Sequence, residues 1–108
     1  MPDIRITLCD EKNENVQVKV RAKIINGCLE ISGQDFGIAV EESFGAGEYE
    51  YFYNFDRANT ERLLSLLTVD ETPVRDALVS RFGGMGGCKA LREFCDANGI
   101  RYQFFNYS

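Results

Sequence analysis

The sequence predicts a single α+β domain, with a mainly antiparallel sheet of about five strands and three helices packed on one face. Two observations favour this class. The first half of the chain alternates apolar and polar residues, as half-buried strands do, and the second half spaces its apolar residues as helices do. A short aromatic segment of strand type then closes the chain. The predicted order is therefore ββββαααβ, and with no linker or shift in composition, residues 1–108 are predicted to form one domain.

The first three predicted strands rest on alternation and on one turn signal. Residues 4–9 alternate, and residues 10–15 are polar and typical of a turn. Residues 16–24 alternate most clearly, with one apolar face and one basic face. Asn26 and Gly27 are a strong signal for a two-residue hairpin, so residues 28–32 are predicted to return antiparallel beside the second strand.

The fourth strand is predicted at residues 48–55, after a loop over residues 33–47 that contains four glycines. Alternation places one set of aromatic residues on a single face of this strand: Tyr49, Tyr51, Tyr53 and Phe55. Glu48 and Glu50 fall on the other face. If this strand lay beside the second one, the two glutamates would face its basic residues, Lys19, Arg21 and Lys23.

Three helices and a last strand complete the predicted fold. Asp56 is a plausible N-cap for a helix that ends near residue 67. Thr72 and Pro73 predict an N-cap followed by the first helical position of a second helix, which ends at the glycines of residues 83–87. A third helix ends at Gly99 in the left-handed conformation. Residues 100–107 are predicted as a strand whose direction is left open.

Composition argues against several classes of function. Seventeen acidic residues against 12 basic residues give a net charge of −5, so no nucleic-acid partner is expected. The absence of histidine removes the Ser-His-Asp and Cys-His arrangements and the metal sites that use histidine. An enzyme is therefore less expected than a binding protein, and no cofactor is expected.

The cysteines and the N-terminus suggest a cytoplasmic protein. Cys9, Cys28, Cys88 and Cys95 include no C-x-x-C pair, and the N-terminus lacks the features of an export signal. The thiols are therefore predicted to be free and buried. No apolar run approaches the roughly 20 residues that a membrane helix needs, so no membrane partner is expected.

An acidic segment is the main candidate for a recognition surface. Residues 30–56 contain seven acidic residues and no lysine or arginine, and they end in an aromatic strand. Acidic and aromatic side chains together favour contact with another protein. The predicted partner-binding residues are Asp35, Glu41, Glu42, Glu48, Tyr49, Glu50 and Tyr51.

Other interpretations of the candidate residues remain open. Asp35 with Glu41 or Glu42 has the oxygen ligands for a divalent cation, but no EF-hand spacing is present, so no metal site is predicted. The favoured interpretation of Asp35 is that it caps the amides of a loop between Gly33 and Gly37. A weaker candidate is a phosphate site at Gly86, Gly87 and Lys89. Ala90 stands where a P-loop has Ser or Thr, so a turn between two helices is the favoured explanation of the glycines. Phe104, Phe105 and Tyr107 place aromatic rings on both faces of the last strand, which is typical of a homodimer interface.

One stretch of the sequence resembles a known group of proteins. Residues 31–37 read Ile-Ser-Gly-Gln-Asp-Phe-Gly, residues 41–45 read Glu-Glu-Ser-Phe-Gly, and residues 48–51 read Glu-Tyr-Glu-Tyr. This pattern is similar to that of a group of small bacterial proteins to which no function is assigned. The resemblance covers residues 29–67 in detail, and it supplies no functional residue.

These observations lead to one expectation about function. We expect a small cytoplasmic, non-catalytic module that binds another protein, or itself, through an acidic and aromatic face. By analogy, antitoxin and immunity-type proteins are often small and acidic because their targets are often basic. The alternative expectation is a domain or enzyme that binds a small ligand, a divalent cation or a phosphate.

Overall fold

The structure, a computed structural model, describes residues 3–14, 16–37 and 48–107. In these ranges the chain forms a five-stranded sheet and three helices in the order ββββαααβ, which confirms the α+β class. The strands are β1 (Ile4–Lys12), β2 (Val16–Ile25), β3 (Cys28–Gly37), β4 (Glu48–Asn54) and β5 (Gln103–Tyr107). The helices are α1 (Arg57–Leu67), α2 (Val74–Phe82) and α3 (Gly87–Asn98). Every strand is antiparallel to its neighbours, and the strands lie in chain order across the sheet.

Strand β1 is longer than its hydrophobic pattern predicts, and it contains a bulge. Residues 10–12 pair with residues 17–19 of β2, so the predicted turn at residues 10–15 is wrong over its first part. Backbone pairing, rather than the side-chain pattern, sets the end of the strand. The register shifts between Thr7 and Cys9, and Leu8 and Cys9 are both buried. A bulge adds one residue to a strand, which allows two consecutive side chains to join one core.

The hairpin between β2 and β3 has the turn that the sequence predicts. Asn26 and Gly27 have positive φ angles of 54° and 80°. A type I′ turn requires a positive φ at both of its central residues, which Asn and Gly tolerate best. Ile25 and Cys28 pair directly across the turn, which fixes the register of the two strands.

Strand β3 continues where the sequence predicts a loop. Residues 33–37 form a central strand, and Gly33 pairs with Val20 on one side and with Tyr51 on the other. Pairing on both sides satisfies the backbone groups of this segment and outweighs the loop preference of its two glycines. The prediction of a loop is therefore wrong for residues 33–37. The remainder of that predicted loop, residues 38–47, lies outside the described residues.

Strand β4 lies between β3 and β5, not beside β2. Glu48 lies opposite Phe36, and Glu50 lies opposite Gln34, so the charge pairing that a β2 neighbour would allow does not form. On its other side, β4 pairs antiparallel with β5. This last strand begins at Gln103, three residues later than predicted, and all five of its residues are exposed.

The helix ends follow local capping rules with one exception. Asp56 is the N-cap of α1, and its side chain accepts a backbone hydrogen bond at 2.8 Å. Gly99 ends α3 in the left-handed conformation with a φ of 65°. Helix α2 begins one residue later than predicted, because Pro73 rather than Thr72 is its N-cap. The Thr72 hydroxyl donates instead to Asp70 at 2.6 Å.

Buried residues of the sheet and of all three helices form one hydrophobic core. The helices contribute Leu63, Leu64, Leu67, Ala77, Leu78, Phe82, Leu91 and Cys95. The four cysteines are free thiols, as predicted, but only Cys9 and Cys95 are buried. Cys28 is exposed next to the hairpin turn and Cys88 is half-buried, so the prediction of buried thiols is wrong for these two.

Thr60 is a buried polar residue that joins α1 to β3. Its hydroxyl accepts a hydrogen bond from the Leu29 N–H at 2.9 Å, and the residue is 1% exposed. A Thr60→Val change keeps the shape but leaves this N–H without an acceptor, so we expect the free energy of unfolding to fall by about 1–2 kcal/mol in urea denaturation. Thr68→Val is the control, because the half-buried Thr68 hydroxyl only donates to a carbonyl of its own helix. Equal losses in the two variants would contradict this role for Thr60.

Candidate functional site

The alternation of β4 divides the predicted partner-binding residues between the two faces of the sheet. Tyr51 and Tyr53 are buried in the core, and Tyr49 packs against it. Successive side chains of a strand point to opposite faces, so Glu48 and Glu50 lie on the face away from the core, here called the outer face. The segment that the sequence presents as one acidic and aromatic surface is therefore two surfaces.

On the core side, the aromatic residues of β4 contribute to a cleft of about 260 Å³. Its wall combines β3, β4 and β5 with α3 and the turn before it. The lining residues are Asp35, Tyr49, Tyr51, Tyr53, Met85, Cys88, Lys89, Arg92 and Phe104. We call this the tyrosine cleft. It brings together the acidic segment and the glycine-rich turn, which are two separate candidates in the sequence.

Asp35 occupies one end of the tyrosine cleft. The Tyr51 hydroxyl donates a hydrogen bond to Asp35 Oδ1 at 3.0 Å. Burial raises the pKa of Asp35, although the bond from Tyr51 opposes this effect. Burial also raises the pKa of Tyr51, so its hydroxyl stays protonated and remains a donor. Asp35 belongs to β3, so the prediction that it caps the amides of a loop does not apply.

Arg92 occupies the other end of a row of aromatic rings. It donates a hydrogen bond to the Tyr53 hydroxyl at 2.8 Å. The ring centroids of Tyr49 and Tyr51 are 5.6 Å apart, and those of Tyr51 and Tyr53 are 6.3 Å apart. The cleft therefore has an aromatic floor, with a carboxylate bonded to one tyrosine and a guanidinium bonded to the next.

Cys88 lines the same cleft from the first turn of α3. Burial raises the pKa of its thiol; the positive charge of Arg92 lowers it and the negative charge of Asp35 raises it. The thiol is therefore protonated near neutral pH, whereas nucleophilic catalysis requires the thiolate. The chain has no histidine that could remove the proton of this thiol.

The residues predicted to bind phosphate have three different environments. Gly86 is exposed, and a Cβ added to it would meet open space. Gly87 is buried, and a Cβ there would overlap the carbonyl of Phe82, so close packing of α3 on the end of α2 explains this glycine. The Lys89 side chain is 76% exposed and lies 3.9 Å from Glu93, a weak surface pair.

The cation interpretation has little support among the residues that can be placed. Nowhere in residues 3–14, 16–37 and 48–107 do three or more His, Cys, Asp or Glu side chains come together as a metal site would require. The Asp35 carboxylate instead accepts the hydrogen bond from Tyr51 in the tyrosine cleft. Glu41 and Glu42, which are predicted both as its metal-binding companions and as partner-binding residues, lie outside the described residues.

The outer face carries an acidic and aromatic group of side chains along β4 and β5. The Gln34 side chain donates to Glu48 at 3.1 Å, and a hydrogen bond with Glu50 is the largest cause of a raised pKa at Glu48. Phe52 pairs with Phe105 across the two strands, and the rings of Phe52 and Tyr107 are 6.0 Å apart. Phe105 is 45% exposed and Tyr107 is 64% exposed. We call Glu48, Glu50, Phe52, Phe105 and Tyr107 the acidic aromatic patch.

The opposite end of the outer face is basic. A groove of about 390 Å³ there is lined by Arg5, Ile6, Thr7, Arg21, Ala22, Lys23 and Ser32. Lys23 forms an ion pair with Glu30 of β3 at 3.1 Å. Arg21 has the uncharged residues Thr7 and Ser32 as its cross-strand neighbours. The outer face therefore changes from mainly basic at β2 to acidic at β4, although Asp10 of β1 lies opposite Lys19. A second groove, lined by both Arg21 and Glu50, lies between the two ends.

Five residues of the tyrosine cleft are absent from the partner-binding and phosphate-binding residues predicted from the sequence: Tyr53, Met85, Cys88, Arg92 and Phe104. A partial signal was present, because Cys88 and Arg92 are four residues apart in a predicted helix and so share a face. Nothing in the sequence indicates that this face of α3 lies beside β4. That proximity depends on the packing of the whole domain.

Comparison of the chain with protein-family models, with curated proteins and with solved structures finds no match. Among the described residues, none of the helices has the length and apolarity that crossing a membrane requires. The two surfaces on β4, one on each face of the sheet, are therefore the basis for a functional proposal.

Proposed function

We propose that this chain is a non-catalytic module that binds a basic partner protein through the acidic aromatic patch. One observation carries the proposal: Phe105 and Tyr107 are exposed on the outer face of the last strand in the sheet order, on the same face as two adjacent glutamates. Exposed aromatic area with polar surroundings is typical of protein interfaces. Strand β5 also has a free edge among the described strands, which allows a partner strand to add to the sheet.

The packing of the helices supports this choice of face. We take α1, α2 and α3 to cover the core face, because their buried residues share one cluster with Ile31 and Tyr53 of the sheet. Among the described residues, no helix would then cover the outer face. Its aromatic side chains have no role in the core, so contact with a partner gives a reason for their presence.

Charge indicates the chemistry of the partner. The pKa of Glu48 is raised first by a hydrogen bond with Glu50, then by burial, and also by the repulsion between the two carboxylates when both are ionised. A lysine or arginine of a partner would relieve this repulsion and would speed association at low salt. The same charge disfavours nucleic acid. The proposal thus describes a cytoplasmic protein that acts on a basic target, as antitoxin and immunity-type proteins do.

Removing the two charges of the patch tests this function. We expect Glu48→Gln with Glu50→Gln to weaken capture of a basic protein by about tenfold, while thermal stability stays the same or rises slightly because the repulsion is removed. The measurement is a low-salt pull-down, compared between variants by mass spectrometry and followed by titration of the captured protein. The matched control, Glu61→Gln with Glu71→Gln, makes the same change in net charge at exposed positions in α1 and in the segment that follows it.

Comparison with the control variant shows whether any loss of capture is specific to the acidic aromatic patch. Loss of the same captured protein in both double variants would show that only net charge matters, and would contradict a specific patch. Full capture by the Glu48 and Glu50 variant would contradict it as well. A fall in stability that matches the fall in capture would show that the glutamates support the sheet rather than a partner.

A second candidate function, self-association, is favoured by the basic end of the outer face. Two copies in opposite orientation would place Glu48 and Glu50 of one against Lys19 and Arg21 of the other. A closed dimer uses one self-complementary surface in this way. Sedimentation at several protein and salt concentrations separates the two candidates. A dimer that dissociates as salt rises would identify a second copy as the partner, and a monomer throughout would exclude it.

A further inference from the structure

We propose that the tyrosine cleft is a separate binding site for a small zwitterion, a molecule with an ammonium group at one end and a carboxylate at the other. The ammonium group would lie at Asp35 on the aromatic floor, and the carboxylate would lie at Arg92 and Lys89. The proposal rests on the geometry of the cleft, and it is independent of the partner proposed for the outer face.

The Asp35 end has the chemistry of an ammonium site. Its carboxylate accepts a hydrogen bond from Tyr51 at 3.0 Å and lines the cleft. Burial raises the pKa of this carboxylate, and no ion pair to it forms among the described residues, so a ligand cation would supply the opposite charge. The adjacent rings of Tyr49 and Tyr51 add faces that attract cations.

The α3 end has the chemistry of a carboxylate site. The bond from Arg92 to Tyr53 uses one of the five N–H groups of the guanidinium, and the others suit a carboxylate. Lys89 is exposed, and its pairing with Glu93 at 3.9 Å is too loose to hold it. Lys89 lies in the first turn of α3, where the helix dipole also favours negative charge.

Opposite charges at the two ends exclude simpler ligands. A cation alone would be repelled by Arg92 and Lys89, and an anion alone would be repelled by Asp35. The protonated Cys88, which interacts electrostatically with both Asp35 and Arg92, adds no charge of its own. The volume of about 260 Å³ lies just under the range of drug-sized pockets, so it suits a ligand of a few heavy atoms.

The test uses a series of amino acids that differ only in the distance between their charges. Glycine, β-alanine, γ-aminobutyrate, δ-aminovalerate and ε-aminocaproate are titrated while protein amide and tyrosine NMR signals are followed. We expect affinity to peak at one length in the series, because Asp35 and Arg92 are held by different tyrosines and only one separation of the ligand charges can match theirs. Butyrate and butylamine each lack one charge and should bind about tenfold more weakly or not at all.

Two variants locate the site. Asp35→Asn keeps an acceptor for Tyr51 but removes the charge, so binding should fall by about tenfold or more while thermal stability stays level or rises. Arg92→Gln should weaken binding similarly. Asp96→Asn and Arg101→Gln make matched changes at exposed positions outside the cleft and should leave affinity unchanged.

Three results would overturn the proposal. The first is that no amino acid of the series moves signals of the cleft at tens of millimolar. The second is that butyrate or butylamine binds as tightly as the best amino acid, which would show that the site does not require both charges of a zwitterion. The third is that Asp35→Asn binds as well as the unaltered protein, which would place any binding elsewhere. These three results do not depend on the proposed function. If the Glu48 and Glu50 variant captured its partner normally, the test of the tyrosine cleft would be unchanged.

Discussion

Replacing Gly33 with alanine is expected to lower the free energy of unfolding by about 2–3 kcal/mol and to disturb the tyrosine cleft. The Tyr51 ring lies across the backbone of Gly33, and a Cβ added there would overlap Cε2, Cζ and the hydroxyl oxygen of that ring. Tyr51 is 8% exposed, and the open space beside its ring is the tyrosine cleft, where its hydroxyl donates to Asp35. Either the ring or β3 must shift, and both changes break the hydrogen bond to Asp35. Urea denaturation measures the loss, and NMR of the Tyr51 ring reports the displacement.

A double-mutant cycle isolates this contact. Tyr51→Leu keeps an apolar side chain but removes the ring that crosses Gly33. In that background, Gly33→Ala should cost much less, because the two substitutions act on one contact and their effects are not additive. An equal cost in both backgrounds would show that alanine harms β3 for a reason unrelated to the ring.

Gly33 also shows why the sequence misled the prediction of β3. Glycine is common in loops because it adopts turn conformations easily, and two glycines within residues 33–37 favour that interpretation. In the sheet, Gly33 instead makes room for a side chain of the neighbouring strand. A glycine of this kind can be recognised only when the neighbouring strand is known. Local residue propensities predict neither the order nor the register of the strands.

Elements whose signals are local were predicted well. The hairpin at Asn26 and Gly27, the cap at Asp56 and the end of α3 at Gly99 each depend on residues within one turn. Strand β2 was predicted because one of its faces is apolar along its whole length. The extension of β1 through residues 10–12 was not predicted, because it depends on backbone pairing with β2. The polar side chains of these residues give no signal for or against that pairing.

The candidate site was predicted in parts rather than as a whole. Alternation in β4 separates Glu48 and Glu50 from the tyrosines, but it does not say which face the core occupies. Asp35 and Lys89 were identified independently, 54 positions apart in the chain. Their meeting in one cleft depends on where α3 packs, and that is decided by many weak apolar contacts rather than by any motif.

The glycine run before α3 leads to the second large prediction. We expect Gly87→Ala to lower the free energy of unfolding by about 3 kcal/mol, because its Cβ would overlap the backbone carbonyl of Phe82. Alanine has a better intrinsic helix propensity than glycine by about 1 kcal/mol, so a loss would run against propensity. Backbone atoms cannot rotate away as a side chain can, and α3 would have to move relative to α2. Denaturant unfolding measures the cost, and amide signals of α3 report the movement.

The neighbouring glycine provides the matched control. Gly86→Ala adds the same methyl group one residue earlier, where nothing lies within 4 Å, and its φ of −89° suits any residue. We expect its stability to remain within about 1 kcal/mol of the unaltered protein. Similar behaviour of the two variants would mean that α3 does not depend on close contact with α2. A large difference would show that Gly87 is required for packing, whatever the turn binds. If instead both glycines were present only to bind an anion, the two variants should have the same stability when that anion is absent.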